Sequence, residues 1–80
     1  MHYVYVIESL SDPRRHYVGF THNLKARLAY HNAGQNKSTV AGRPWVLASY
    51  FAFANEQKAI AFEKYLKSGS GRTFLKRHLL

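Results

Sequence analysis

The chain contains no cysteine, so neither disulfides nor thiolate-bound metal can hold its 80 residues together. Stability has to come from one small core of packed apolar side chains, and in so short a chain every buried polar group matters. The composition allows such a core, since 46% of the residues are hydrophobic and 15% are aromatic, which argues against disorder. We expect a single domain over residues 1–80 in a reducing, cytoplasmic setting.

Positive charge is the second strong signal. Twelve lysines and arginines face four acidic residues, which gives a net charge of +8. A field of this sign attracts polyanions, above all nucleic acid. A membrane partner is not expected, because no apolar run reaches the roughly 20 residues that span a bilayer and the basic residues are not confined to one amphipathic helix. Charge that serves solubility alone, or contact with the ribosome, is the competing interpretation.

Apolar patterning and turn residues predict the order ββαβαα, an α/β fold in which helices flank a small three-stranded mixed or antiparallel sheet. The strands are predicted over His2–Glu8, His16–Phe20 and Trp45–Phe53. The first two form a hairpin, and the third is apolar enough to be covered on both faces. The helices are predicted from a Thr21 or Asn23 cap to Asn32, from an Asn55 cap to Lys67, and, after a break at Ser68–Gly71, over Arg72–Leu79.

Three polar side chains fall on faces that the predicted helices use for packing. Arg27 and His31 share the leucine stripe of the first helix, one turn apart, where their side chains can converge. Glu63 lies inside the apolar arc of the second helix, where a carboxylate is costly unless it is paired or binds a cation. A salt bridge to Arg27 is one interpretation, and a single Mg²⁺ held with waters and phosphate oxygens is the other.

The predicted hairpin also carries three tyrosines, Tyr3, Tyr5 and Tyr17. Packing is the simpler interpretation, because tyrosine is favoured in strands and packs across them. A tyrosine that acts as a base at neutral pH needs nearby cations, because its ordinary pKa is near 10.

These features follow one another in an order that resembles a known family. Tyr3-Val4-Tyr5 and Tyr17-Val18-Gly19 are similar to the paired motif of the GIY-YIG nuclease superfamily. Arg27, His31 and Glu63 come next, in the order expected of that family. The resemblance covers nearly the whole chain. The stretches Gly42-Arg43-Pro44-Trp45 and Leu66-Lys67-Ser68-Gly69 are similar to its small stand-alone bacterial members.

The resemblance implies metal-dependent hydrolysis of phosphodiester bonds in DNA, with Mg²⁺ or Mn²⁺ as the ion. Tyr5 and Tyr17 would be the motif tyrosines, and either could be the general base. Arg27 would bind the phosphate, Glu63 would hold the metal, and His31 would orient a tyrosine or relay its proton. Relatives include the N-terminal incision module of bacterial nucleotide excision repair, so the implied role is DNA repair or processing. Branched or damaged DNA would be selected by its shape, by a dimer or by a partner protein.

The chain departs from the family pattern at two positions near the site. Phe20 stands where some relatives carry a lysine, and no asparagine follows Glu63. A binding module that keeps its affinity for nucleic acid without turnover is therefore the main alternative. A structural partner in a repair or ribosomal complex is the third interpretation.

Overall fold

A three-stranded antiparallel sheet with helices on both faces makes up the protein, in a computed structural model that describes residues 1–80. The elements are β1 (His2–Ser9), β2 (His16–Thr21), α1 (Leu24–Asn32), β3 (Trp45–Phe53), α2 (Glu56–Lys67) and α3 (Gly69–His78). This order confirms the predicted α/β fold, and both strand pairs are antiparallel. No helix combines the length and the apolar character needed to cross a membrane.

β1 is the central strand, because the strand order in the sheet is β2-β1-β3. Its side chains alternate between the two faces of the sheet. Val4 and Val6 join the larger apolar cluster, which includes buried residues of α2 and α3. Tyr5 and Ile7 join a second cluster with Trp45, against which leucines of α1 pack. The two faces of one strand therefore hold α1 on one side of the sheet and α2 with α3 on the other.

Asparagine side chains cap the N-termini of the first two helices. The Asn23 side chain accepts a hydrogen bond from the Ala26 N–H at 3.0 Å, and Asn55 does the same for Lys58 at 3.0 Å. α1 stops where Gly34 takes a φ of +77°, a conformation that favours glycine. Both helices therefore begin where their asparagines predict, and α1 ends as predicted.

The prediction that β3 is covered on both faces is wrong. A three-stranded sheet has one interior strand, and here that strand is β1, which leaves β3 at an edge. Val46, Leu47 and Tyr50 are exposed, so the helices do not cover this edge strand on both faces, although its sequence is apolar almost throughout.

The predicted start of the last helix at Arg72 is also wrong. The Ser68 hydroxyl accepts a hydrogen bond from the Gly71 N–H at 3.2 Å and so caps α3, which begins at Gly69. Ser68 ends α2 as well, so the glycine-rich run is the first turn of a new helix and not a free linker. Gly71 is buried there against the end of α2.

Candidate active site

The candidate site begins at a close contact between the two strands of the hairpin. Tyr5 on β1 lies opposite Gly19 on β2. A Cβ added at Gly19 would collide with the hydroxyl end of the Tyr5 ring, so the ring occupies the space that a side chain would need. Gly19 thus allows Tyr5 to lie across β2, which is the edge strand opposite β3.

A chain of hydrogen bonds runs from Tyr5 into the loop that follows α1. The Tyr5 hydroxyl lies 2.8 Å from Nε2 of His31, and Nδ1 of His31 lies 2.8 Å from the hydroxyl of Thr39. We assign the Thr39 hydroxyl as donor to the carbonyl of Asn36, 3.4 Å away, and therefore as acceptor from Nδ1 of His31. Nε2 of His31 is then the acceptor, and the Tyr5 O–H donates to it. This direction requires a neutral imidazole with its proton on Nδ1.

The pKa values of both buried partners agree with that direction. Burial, helped by the charge of Arg27, lowers the pKa of His31 and favours the neutral ring. Burial raises the pKa of Tyr5 well above its usual range, and the nearby Tyr17 adds to the effect while Arg27 opposes it. Tyr5 therefore remains a protonated phenol that holds His31 in place.

Tyr17 lies beside this pair but is only half-buried. Its ring centroid is 5.1 Å from that of His31, and the Lys67 ammonium lies 5.6 Å from its ring centroid. Lys67 belongs to the last turn of α2. A cation thus lies near Tyr17, and it comes from a helix and not from the position after the second motif, where Phe20 stands.

Arg27 reaches the same region from α1. Its guanidinium carbon lies 4.9 Å from the centroid of the Tyr30 ring, and that ring lies 5.4 Å from the ring of His31. Arg27 and Tyr30 line a shallow depression of about 290 Å³ with residues around the start of α1. The charge of Arg27 lowers the pKa values of both Tyr5 and His31, so Arg27 is electrostatically part of this site.

Glu63 forms an ion pair with Lys67, one turn further along α2, and not with Arg27. The carboxylate and the ammonium are 3.1 Å apart, and the side chains are 21% and 49% exposed. The salt bridge to Arg27 suggested by the sequence is therefore wrong. The negative charge of Glu63 contributes to the raised pKa of Tyr5, which places Glu63 in the same electrostatic neighbourhood.

Glu63 also has the chemistry of a ligand for a hard divalent cation. Mg²⁺ prefers oxygen ligands and is held in many sites by one carboxylate with waters and phosphate oxygens. Glu63 offers a partly exposed carboxylate whose ion-pair partner, Lys67, is half-exposed and flexible enough to move. A divalent ion thus fits this position.

A basic groove adjoins Tyr17 on the α3 side. Its volume is about 380 Å³, and it is lined by residues of the hairpin, the end of α2 and α3. Its cationic members are Arg14, Lys67, Arg72 and Lys76, and no acidic side chain lines it. A groove with this lining suits a phosphate backbone.

The structure brings the five predicted site residues into one neighbourhood, although the contacts differ. His31 contacts both Tyr5 and Tyr17 directly, whereas Arg27 reaches His31 through Tyr30 and Glu63 reaches Tyr17 through Lys67. Sequence reasoning missed Lys67 and Thr39. The spacing of Lys67, four residues after Glu63, was a usable signal for an ion pair. Thr39 lies in a loop, and nothing in its spacing points to His31.

A family model described as the GIY-YIG catalytic domain matches residues 1–77. The chain belongs to this family.

Its relatives are small proteins known by the name UPF0213. One from Staphylococcus haemolyticus is 37% identical over 76 residues, which cover 94% of this chain and 90% of the relative. One from Pediococcus acidilactici is 38% identical over 63 residues, 75% of this chain and 64% of the relative. One from Clostridium perfringens is 35% identical over 68 residues, 84% of this chain and 71% of the relative. The family indicates a nuclease, with DNA as its substrate.

Proposed function

We propose that this protein is a divalent-metal-dependent DNA endonuclease that acts in DNA repair or processing in the cytoplasm. The observation that carries the proposal is the arrangement around Tyr17. The neutral His31 and the Lys67 ammonium both lie close to this half-buried phenol, which lines a basic groove that lacks acidic side chains. Water, a phosphate and a general base could meet there.

Tyr17 is the proposed general base, and Tyr5 is its structural neighbour. Burial and a donated hydrogen bond keep Tyr5 protonated, so it is poorly suited to take a proton. Tyr17 is accessible from the groove, and Lys67 lies where it can balance the negative charge that builds on the phenol as it removes a proton from water. His31, fixed through Tyr5 and Thr39, orients the Tyr17 ring.

Phosphodiester hydrolysis also requires that the negative charge on the phosphate be neutralised. Arg27 is proposed to bind the phosphate oxygens, because a guanidinium fits them with paired hydrogen bonds. Glu63 would hold one Mg²⁺ or Mn²⁺ after releasing Lys67. When bound, such an ion stabilises charge on the phosphate and on the leaving 3′ oxygen.

The proposed selectivity is for DNA shape and not for base sequence. The cations of the groove offer contacts to phosphates, which position a duplex but carry no sequence information. Branched or damaged DNA is the proposed substrate, and a second copy of the chain or a partner protein could supply targeting.

A cleavage assay with a matched acidic control tests the proposal. Supercoiled plasmid and flap, fork and single-stranded substrates are incubated with Mg²⁺, Mn²⁺ or EDTA. We expect cleavage that needs the metal and that falls at least about 100-fold in Glu63→Gln, while DNA binding is kept. Glu56→Gln, at the start of the same helix and outside the groove, is the control and should cleave like the unmodified protein. Cleavage by Glu63→Gln at the unmodified rate would remove Glu63 from the mechanism.

One observation favours the alternative of a binding module without turnover. Glu63 is held by Lys67 at 3.1 Å, and an ammonium there competes with a metal. If the protein is such a binding module, it cuts no substrate with any ion. Its salt-sensitive DNA binding is then the same in the unmodified protein and in Glu63→Gln.

A further inference from the structure

Three side chains from distant parts of the sequence meet at the far end of the sheet. His2 opens β1, His22 lies between β2 and α1, and Glu56 is the first residue of α2. Nδ1 of His2 is 2.8 Å from Nε2 of His22, and each of these nitrogens is 3.6 Å from Oε2 of Glu56. Three ligand-type atoms thus converge on one point.

The spacing of these atoms matches the size of a zinc site. A circle through three points separated by 2.8, 3.6 and 3.6 Å has a radius of about 2.0 Å, which is the length of a bond from Zn²⁺ to nitrogen or oxygen. A tetrahedral ion with such bonds needs its ligands about 3.3 Å apart. The two nitrogens would separate by about half an ångström, and each would approach the carboxylate by a smaller amount.

The surroundings of the three side chains suit a bound ion. The Phe20 ring packs against both imidazoles, with its centroid 6.3 Å from that of His2 and 5.2 Å from that of His22. This contact restricts the ring orientations. His22 and Glu56 are more than 40% exposed, so the fourth ligand position opens to water.

We propose that His2, His22 and Glu56 form a binding site for Zn²⁺ or for a divalent transition metal that prefers the same ligands. Two imidazoles and one carboxylate are ligands for that class, whereas Mg²⁺ prefers oxygen alone. The site is separate from Glu63, which lies seven residues further along α2, or about 10 Å at the rise of a helix. A bound ion joins the first residues of β1 and α2 to the loop before α1.

Calorimetric titration of Zn²⁺ into untagged protein, with excess Mg²⁺ present, tests this site. We expect one Zn²⁺ per chain. His22→Ala and Glu56→Gln should each weaken Zn²⁺ binding by about tenfold or more. Even the mutation of a residue that only hydrogen-bonds to a metal ligand typically weakens metal affinity about 10–100-fold. Zn²⁺ should also raise the melting temperature of the unmodified protein and not of these variants.

His16→Ala is the matched control, because His16 pairs with Glu8 at 3.1 Å and that pair lacks a third ligand. It should bind Zn²⁺ like the unmodified protein. Absence of saturable binding, or unchanged binding in His22→Ala, would show that the cluster is only a hydrogen-bonded contact. Loss of binding in Glu63→Gln alone would place the ion at the nuclease site and equally refute the proposal.

Discussion

The two motif tyrosines share a strand pair but differ in what surrounds them. Tyr5 is buried under the hairpin contact at Gly19 and donates to His31. Tyr17 lies at the groove with Lys67 above its ring. Identical side chains therefore have different chemistry, because one is kept from solvent and the other is not.

Removing the two hydroxyls separately should separate stability from catalysis. In Tyr17→Phe we expect single-turnover cleavage to fall by about 10²–10⁴-fold with little change in stability. In Tyr5→Phe the buried Nε2 of His31 loses its donor, so the free energy of unfolding should drop by about 1–3 kcal/mol. Urea titration and cleavage rates measure both effects. Normal cleavage by Tyr17→Phe would exclude it as the base.

His31 should make folding stability depend on pH in the weakly acidic range. Its pKa is lowered in the folded protein from an ordinary value of 6.5, so the unfolded chain binds this proton more readily. The stability is full above pH 6.5 and is lost as the pH falls below 6.5, through the lower pKa of the folded state. Urea midpoints between about pH 8 and pH 5 should fall more steeply than in His31→Gln. Parallel curves would contradict the burial argument.

The sequence predicted which site residues share one helix face better than it predicted contacts between different elements. Arg27 and His31 could be placed on one stripe of α1 because helical geometry is fixed by the sequence positions alone. The same rule offered Lys67, four residues after Glu63, as an ion-pair partner, but helical spacing does not exclude a cation from another element, such as Arg27. Thr39 was missed because a loop has no periodicity from which to predict a contact.

At the scale of elements, the strands were predicted correctly but not their exposure. An apolar run such as Trp45–Phe53 reads the same at a sheet edge as in its interior. Val46 and Tyr50 face solvent because β3 is an edge strand that the helices leave partly uncovered, which depends on the strand order and on helix packing. Strand order depends on long-range pairing, which local pattern does not encode.

The joint between α2 and α3 should depend on one of its two nearest glycines. A Cβ at Gly71 would collide with the Tyr65 carbonyl and the Leu66 backbone, which cannot move aside, whereas one at Gly69 meets nothing within 4 Å. We expect Gly71→Ala to reduce the free energy of unfolding by about 1–3 kcal/mol.

Gly69→Ala is the control for that change, because it adds the same methyl group to the same turn of α3. It should be neutral or stabilising by up to about 1 kcal/mol. Thermal or urea unfolding measures both variants. Equal losses would mean that the effect does not come from the contact between Gly71 and α2.

Across the whole molecule, the net charge of +8 has a local focus. Four cations line the groove beside Tyr17, and two of them, Arg72 and Lys76, belong to α3. The last helix therefore contributes charge to the surface beside the site, although none of the five predicted site residues lies on it. Composition predicted an anionic partner, but the position of the groove follows from how α3 packs against α2 and β2.

Arg72→Ala with Lys76→Ala should reduce the salt dependence of DNA binding. If each cation contacts one phosphate, the slope of log affinity against log salt concentration becomes shallower by about 2. Lys37→Ala with Lys58→Ala removes the same charge from exposed positions outside the groove. Fluorescence anisotropy at several salt concentrations compares the two pairs. Equal slopes in both would mean that binding follows net charge and not the groove.

The contact between Gly19 and Tyr5 has an evolutionary consequence. Position 19 is closed to side chains by the neighbouring ring and not by its own backbone, whose φ is not in the left-handed region. A lineage that replaced Tyr5 with a small residue would at the same time release position 19 to accept alanine. Substitutions at these two positions should therefore be correlated among homologues, and the glycine of the second motif marks the presence of an aromatic ring in the first.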